Sequence, residues 1–557
     1  MFRLTATSVL ALGLGAAPVL AEVTPAQVWE NLQRYSADRG YAVTASVEDA
    51  GNTLTVRDAV FAMTGEDGST RLTFPLMTLS QTGDARVRLV IDGDVAVNST
   101  FPAPAPQDAD AADGAETGPD AEPADLAVDG TISAPGNEIL VSGTPEDMLY
   151  EYTYPTVSVS LDIPAGPQGG ATLPFTASLT DLAGSQRNVT GGDVEATFDM
   201  AVAEAAMQIA GTVPPGPARD PGSSATEGNG AGDSAEGGNT EGGTGDNTGG
   251  GSIDLRARLT DLTVKGGNAM PGQPLENGAQ MTEALAAGMT VDAAVAYQAL
   301  EGSFAMTGQA EGGEDQTGNG TFATGPADLR MQLSANGMGY AGSAADTRIE
   351  MTLSELSFPL SLAAQRTSAD LLIPVLRADS AQPFRLAYTL EGVSFADGIW
   401  ALFDPTGQLP RDPASLVVDL DGKATLTGNL FDPAPAQPGT EGGGAAVPPG
   451  PPFAPESVTV NRVALDAAGA SAEITGSLDF GDNPAQPVGR LTGSFEGVNG
   501  LLDTLVTMGL VPQEQLMGVR MALTMFARPA EDNPDRLTSD IEFREGGAVF
   551  ANGQRVR

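Results

Sequence analysis

Alternation of apolar and polar side chains with a period of two runs through most of this chain. In 156–163, Val157, Val159, Leu161 and Ile163 share one face, with Ser158, Ser160 and Asp162 between them. Such alternation predicts a half-buried strand. Run 384–390 repeats it, with Phe384, Leu386, Tyr388 and Leu390 on one side. Shorter runs at 53–56, 60–63, 71–77 and 87–91 are separated by Gly51-Asn52, Glu66-Asp67-Gly68 and Thr82-Gly83-Asp84. That spacing predicts consecutive antiparallel strands. More follow at 138–141, 175–179, 195–198 and 207–209, then from Ile253 at 253–259, 302–306, 329–333, 349–356, 416–426, 458–460 and 472–475. Runs 537–543 and 548–551 close the chain, with Asn552-Gly553 as a type I′ turn. Segments 139–161 and 329–353 share an order: apolar strand, Ser, Gly, Tyr, alternating strand. The shared order points to two related blocks of sheet, 22–213 and 252–557.

The period changes to that of a helix in a few places. Thr24, Pro25 and Gln27 make a capping box with proline at the first turn; Val28, Leu32 and Tyr35 then share a face up to Gly40. A packed helix is expected there, or a helix that docks a partner. A second helix is expected at 281–289, with Leu285 and Met289 on one face. Ser368 would cap a third at 371–376, divided by Pro374. Pro405, Pro410 and Pro413 fix a corner after Trp400. A helical hairpin is predicted at 499–528, turned by Gly509 and Pro512. On its second helix, 514–528, Leu516, Val519, Leu523 and Phe526 form one stripe; Met517, Met521 and Met525 form another. A helix so apolar needs cover on two sides. The methionine stripe is then core or, given the adaptability of methionine, an apolar-ligand surface made by Leu516, Met517, Met521 and Met525.

Three inserts break the pattern: 102–126, 214–251 and 433–455, rich in Pro, Gly, Ser and acidic residues. Such segments bury too little to order themselves. Asp108, Asp110, Asp113 and Gly114 approach the pattern of a calcium loop, but the glycine falls one place late and no closing glutamate follows. Gly242–Asp246 is likewise read as linker. At the start, Arg3, the apolar run 9–17 and Val19-Leu20-Ala21 make a secretory signal peptide, 1–21, cleaved near Ala21. The apolar run is too short to span a bilayer, and no later stretch is apolar enough. A periplasmic chain without a transmembrane segment or lipid anchor is expected.

Composition narrows the chemistry. The formal net charge is −45, which disfavours nucleic acid and anionic headgroups. Histidine and cysteine are absent, so the usual zinc sites, Ser-His-Asp triads and thiol nucleophiles are excluded. Lys265 and Lys423 are the only lysines, and neither completes a Ser-x-x-Lys dyad or a phosphate loop. Carboxylate pairs remain available for hydrolysis, but an aromatic content of 5% argues against a sugar-stacking cleft. The missing aromatic girdles also argue against an outer-membrane barrel. No catalytic residue, cofactor site or metal site is assigned.

Segments 25–31 (Pro-Ala-Gln-Val-Trp-Glu-Asn), 399–414, 502–515 and 537–555 together resemble an exported bacterial family, domain of unknown function 2125. The resemblance implies an exported, β-rich protein and brings no activity or site residue with it. A looser likeness, in architecture only, is to AsmA-like envelope proteins, whose long curved sheets form apolar grooves. The reading is α+β, β-dominated: long antiparallel meandering sheets in two blocks with a few packed helices. The function expected is non-enzymatic retention of a lipid or other apolar ligand in a sheet–helix groove. The alternative is an envelope scaffold that binds a protein partner.

Overall fold

The computed structural model describes residues 23–37, 40–65, 68–102, 126–165, 172–189, 194–213, 250–270, 278–309, 315–432, 453–481, 483–533 and 535–557. The expected signal peptide, the calcium-like loop, Gly242–Asp246 and nearly all of the three inserts lie outside these residues.

Helix α1 (Pro25–Ala37) opens on the expected box. The Thr24 N–H donates to Gln27 Oε1 at 3.0 Å, and the Gln27 N–H donates to Thr24 Oγ1 at 3.3 Å. Strands β1 (Ala42–Asp49), β2 (Thr53–Gly65) and β3 (Gly68–Gln81) then form a meander. At β3 the sheet forks. Its second half pairs with β4 (Val87–Asp92) and its first half with β5 (Val95–Phe101). The β5 branch continues through β6 (Leu126–Ser133) and the β4 branch through β7 (Glu138–Thr144). Both rejoin on β8 (Asp147–Pro164), β7 along its first half and β6 along its second. Next come β9 (Thr172–Val189) and β10 (Val194–Val213).

Strand β10 pairs with β11 (Gly251–Met270) through nineteen residue pairs, so the two expected blocks share one ladder. Then the pattern starts again. β11 forks onto β12 (Thr290–Tyr297) and β13 (Ala299–Gln309); β14 (Asp315–Thr324) continues β13 and β15 (Ala327–Ser334) continues β12. Both rejoin on β16 (Gly337–Leu353), followed by β17 (Leu360–Ile373), β18 (Gln382–Phe395) and β19 (Ala414–Leu426). Every pairing from β3 to β11 recurs from β11 to β19 with the strand number raised by eight. Strands β20 (Phe453–Ala467), β21 (Ala470–Asp479) and β22 (Val488–Glu496) extend the sheet. Strands β23 (Arg528–Pro529), β24 (Arg536–Arg544), β25 (Ala548–Ala551) and β26 (Gln554–Arg555) finish it. Asn552 and Gly553 make the expected turn, with φ of 50° and 82°.

Four long strands change the parity of their apolar positions at a left-handed residue. Asp58, Asp181, Asp261 and Asp346 have φ between 49° and 51°, a left-handed conformation that aspartate tolerates better than most residues. Each is left out of its ladders, as Asp181 is between Thr180 and Leu182 in β9, opposite the unpaired Pro155, so the register is the same on either side. One unpaired residue in both strands shifts the parity of apolar positions without changing their face; beside Asp58 the ladder to β1 also shifts register, as a bulge does. On β2, Leu54 and Val56 precede Asp58 and Ala59 and Phe61 follow it, yet all four belong to one core. That core is closed by Val28 and Trp29 of α1, with Trp29 set edge-on to Phe61 at 6.4 Å.

Four further helices lie among the described residues: α2 (Gly278–Ala286), α3 (Asp397–Phe403), α4 (Val498–Thr507) and α5 (Gln513–Phe526). α2 starts three residues before the expected helix, and Leu285 and Met289 are buried as expected. The helix expected at 371–376 is corrected: 360–373 is strand β17. Ladders on both sides, to Tyr340 and to Leu386 at Leu371, override the local helical pattern. The insert boundary at 455 is also corrected, because β20 begins at Phe453. At the proline corner, Asp404 is fully buried. Its carboxylate accepts the N–H groups of Gln408 at 2.8 Å and Leu409 at 2.9 Å. The N–H donors, Leu409 foremost, hold this carboxyl below the usual aspartate range.

A candidate apolar-ligand face

Residues paired across a ladder point to the same face. Starting at Tyr152 on β8, the ladders connect Gly184, Met200, Val264, Val295, Leu329 and Gly342. They continue through Ala369, Tyr388, Val418, Val463 and Ile474 on β21. At about 4.8 Å per strand this row is roughly 50 Å long. A parallel row holds Phe198, Gly266, Ala293, Met331, Tyr340, Leu371, Leu386 and Leu420. Between α1 and the end of the rows much of this face stays open: Met331 is 54% exposed, Leu386 43% and Tyr340 42%. A half-exposed apolar surface of this length on a sheet is a candidate interaction site. Glycines shape it. A Cβ at Gly266 would come within 2.8 Å of the Phe198 ring, so the ring lies flat across the neighbouring strand.

Two hollows indent the face. The first, about 360 Å³, lies beside α1 between Leu32, Tyr35, Tyr150, Tyr154, Gln186 and Met200. The Tyr150 hydroxyl donates to Asn31 Oδ1 at 2.9 Å. Gln186 Nε2 donates to the Tyr35 hydroxyl at 3.2 Å and to Asn188 Oδ1 at 3.0 Å. Burial pushes the Tyr150 and Tyr154 phenols up to about 12, so both stay neutral. The second hollow, about 420 Å³, lies between Val295, Tyr297, Leu329, Tyr340 and Ala369. Leu285 of α2 and Met289 just after it pack with Met338 and Leu333. A wider trough, about 910 Å³, is built from the serine, threonine and arginine rows that alternate with apolar ones. Its Arg256 and Arg258 are paired with Asp254 and Glu204, and Glu301 stands beside them, so it carries no net positive charge.

The predicted ligand residues are split by the structure. Leu516 is buried at 7% exposure, while Met517, Met521 and Met525 are 73%, 68% and 52% exposed along one stripe of α5. The expectation of cover on two sides is therefore corrected: α5 packs one side, against α4 and β24, and leaves the methionines open. The first hollow is a site that the sequence pattern does not single out, although Tyr150, Tyr152 and Tyr154 repeat at the strand period and, with Tyr35, make half of the chain's eight tyrosines. Among the described residues no three metal-ligating side chains cluster, and no helix is long and apolar enough to cross a membrane.

Residues 291–553 match the family described as an uncharacterized protein conserved in bacteria, DUF2125. Three of the four resembling segments fall within or almost wholly within that span; 25–31 lies outside it. No curated protein and no solved structure matches the chain.

Proposed function

We propose, for a chain whose residues 291–553 belong to that bacterial family, an exported, non-enzymatic periplasmic protein that holds a lipid or other apolar ligand along its open sheet face. The observation that carries this reading is the half-exposed apolar row from Tyr152 to Ile474. Water covers such a face at a cost of about 25 cal/mol per Å² of apolar surface, and an acyl chain would remove it. The test is native mass spectrometry of the protein purified from its own cells, with organic extraction of bound material. A lipid-sized adduct is expected. Met331→Asp with Leu386→Asp alters two exposed positions, so folding should persist while adduct falls about tenfold or more. A clean mass for the unaltered protein, with no uptake of added lipid, would remove the reading.

The open methionine stripe of α5 favours a second reading, an envelope protein that binds a protein partner. A crosslinked partner lost on Met517→Asp with Met521→Asp, but kept in the Met331/Leu386 variant, would support it.

A further inference from the structure

The eight-strand offset places the two hollows at equivalent points and shows how they differ. Asp147 and Gly337 start the second strand of matching hairpins, opposite Thr144 and Ser334. Met148 then corresponds to Met338 and Tyr150 to Tyr340. Four other polar groups that strands bring to the first hollow have apolar counterparts: Tyr152 becomes Gly342, Tyr154 becomes Ala344, Gln186 becomes Leu371 and Asn188 becomes Ile373; Asn31 and Tyr35 come from α1. Among the described residues, one hollow is therefore lined with hydroxyls and amides and no charged group; its twin keeps the Tyr340 hydroxyl beside that of Tyr297, has no side-chain amide, and includes Asp328. The nearest charges acting on its tyrosines, Arg34 and Asp199, have opposite signs. No hydrogen bond among the described residues reaches the hydroxyl of Tyr152 or Tyr154.

Resting on the apolar-ligand reading, we infer that the first hollow takes the uncharged polar end of a lipid, a hydroxyl or ester such as diacylglycerol carries, with the acyl chains lying over Met200, Val264 and Val295 toward the second hollow. A net charge of −45 and a lining without cations both act against a carboxylate or phosphate there. The two hollows are six strand spacings apart, about 29 Å, which leaves room for chains about half a bilayer's hydrocarbon core in length.

The protein is offered dioleoylglycerol, dioleoylphosphatidic acid and squalene at equal concentration, and uptake is read by native mass spectrometry. Dioleoylglycerol is expected to exceed each of the others about tenfold. Tyr152→Phe with Tyr154→Phe should bring it within about twofold of squalene, whose own uptake should not change; Gln186→Leu should act in the same direction. Equal uptake of all three, a preference for phosphatidic acid, or a wild-type preference in these variants would overturn the inference and leave the apolar-ligand reading standing. A folded wild-type protein that takes up none of the three would overturn that reading itself.

Discussion

Four left-handed aspartates let long strands change the parity of their apolar positions while keeping one apolar face. Asp181 adopts φ of 50° in β9, where a β-branched residue would meet its own carbonyl. Asp181→Val should lower stability by about 1–2 kcal/mol, whereas Asp181→Asn should be near neutral, as denaturant midpoints would show. None of this is legible in a search for period two, because the parity of apolar positions changes at each of these unpaired residues. The Thr-Asp-Leu shared by 180–182 and 260–262 is the one sign of it in the sequence. Asp404 makes a different prediction. Its carboxyl is lowered in the folded chain, so its contribution is present above the unfolded pKa, about 3.9, and is lost as pH falls through the folded value. Asp404→Asn sets an amide against the N–H of Gln408 or Leu409 and should lower the melting temperature. The gap from wild type should hold from pH 8 to pH 5 and narrow below about pH 4, as melting followed by circular dichroism would record.

Elements that their own side-chain pattern specifies are the readable ones. The capping box of α1, the Asn552-Gly553 turn and the alternating strand 156–163 all stand where the side-chain pattern puts them. The apolar run 371–376 reads as helical in isolation because β16 and β18, which pair with β17, enter the decision only in three dimensions. Anchoring of α1 depends on Trp29, which is 6% exposed and meets Phe61 edge-on. Trp29→Ala should cost about 3–5 kcal/mol and speed hydrogen exchange through α1 before it affects β19–β22. On α5 two neighbours should behave oppositely. Met517→Asp should change stability by no more than about 0.5 kcal/mol, whereas Leu516→Asp should loosen the helical hairpin, and limited proteolysis would separate them.

Across the whole molecule, the ladder between β10 and β11 joins the two repeats through nineteen residue pairs. A protease site placed within 214–249 should therefore yield two fragments that remain together on gel filtration and part only in denaturant. The likeness between 139–161 and 329–353 is visible in the sequence; the fork and rejoining are not, since they depend on which half of a strand meets which neighbour. The eight-strand offset also governs how such a chain can change length. Removing three strands, or five, would strand one branch of a fork without the partner that closes it. Removing or adding eight returns every branch to a partner of the same kind. The reach of the apolar face is thus quantised: it grows by whole repeats, and the length of cargo it can shelter rises in matching steps.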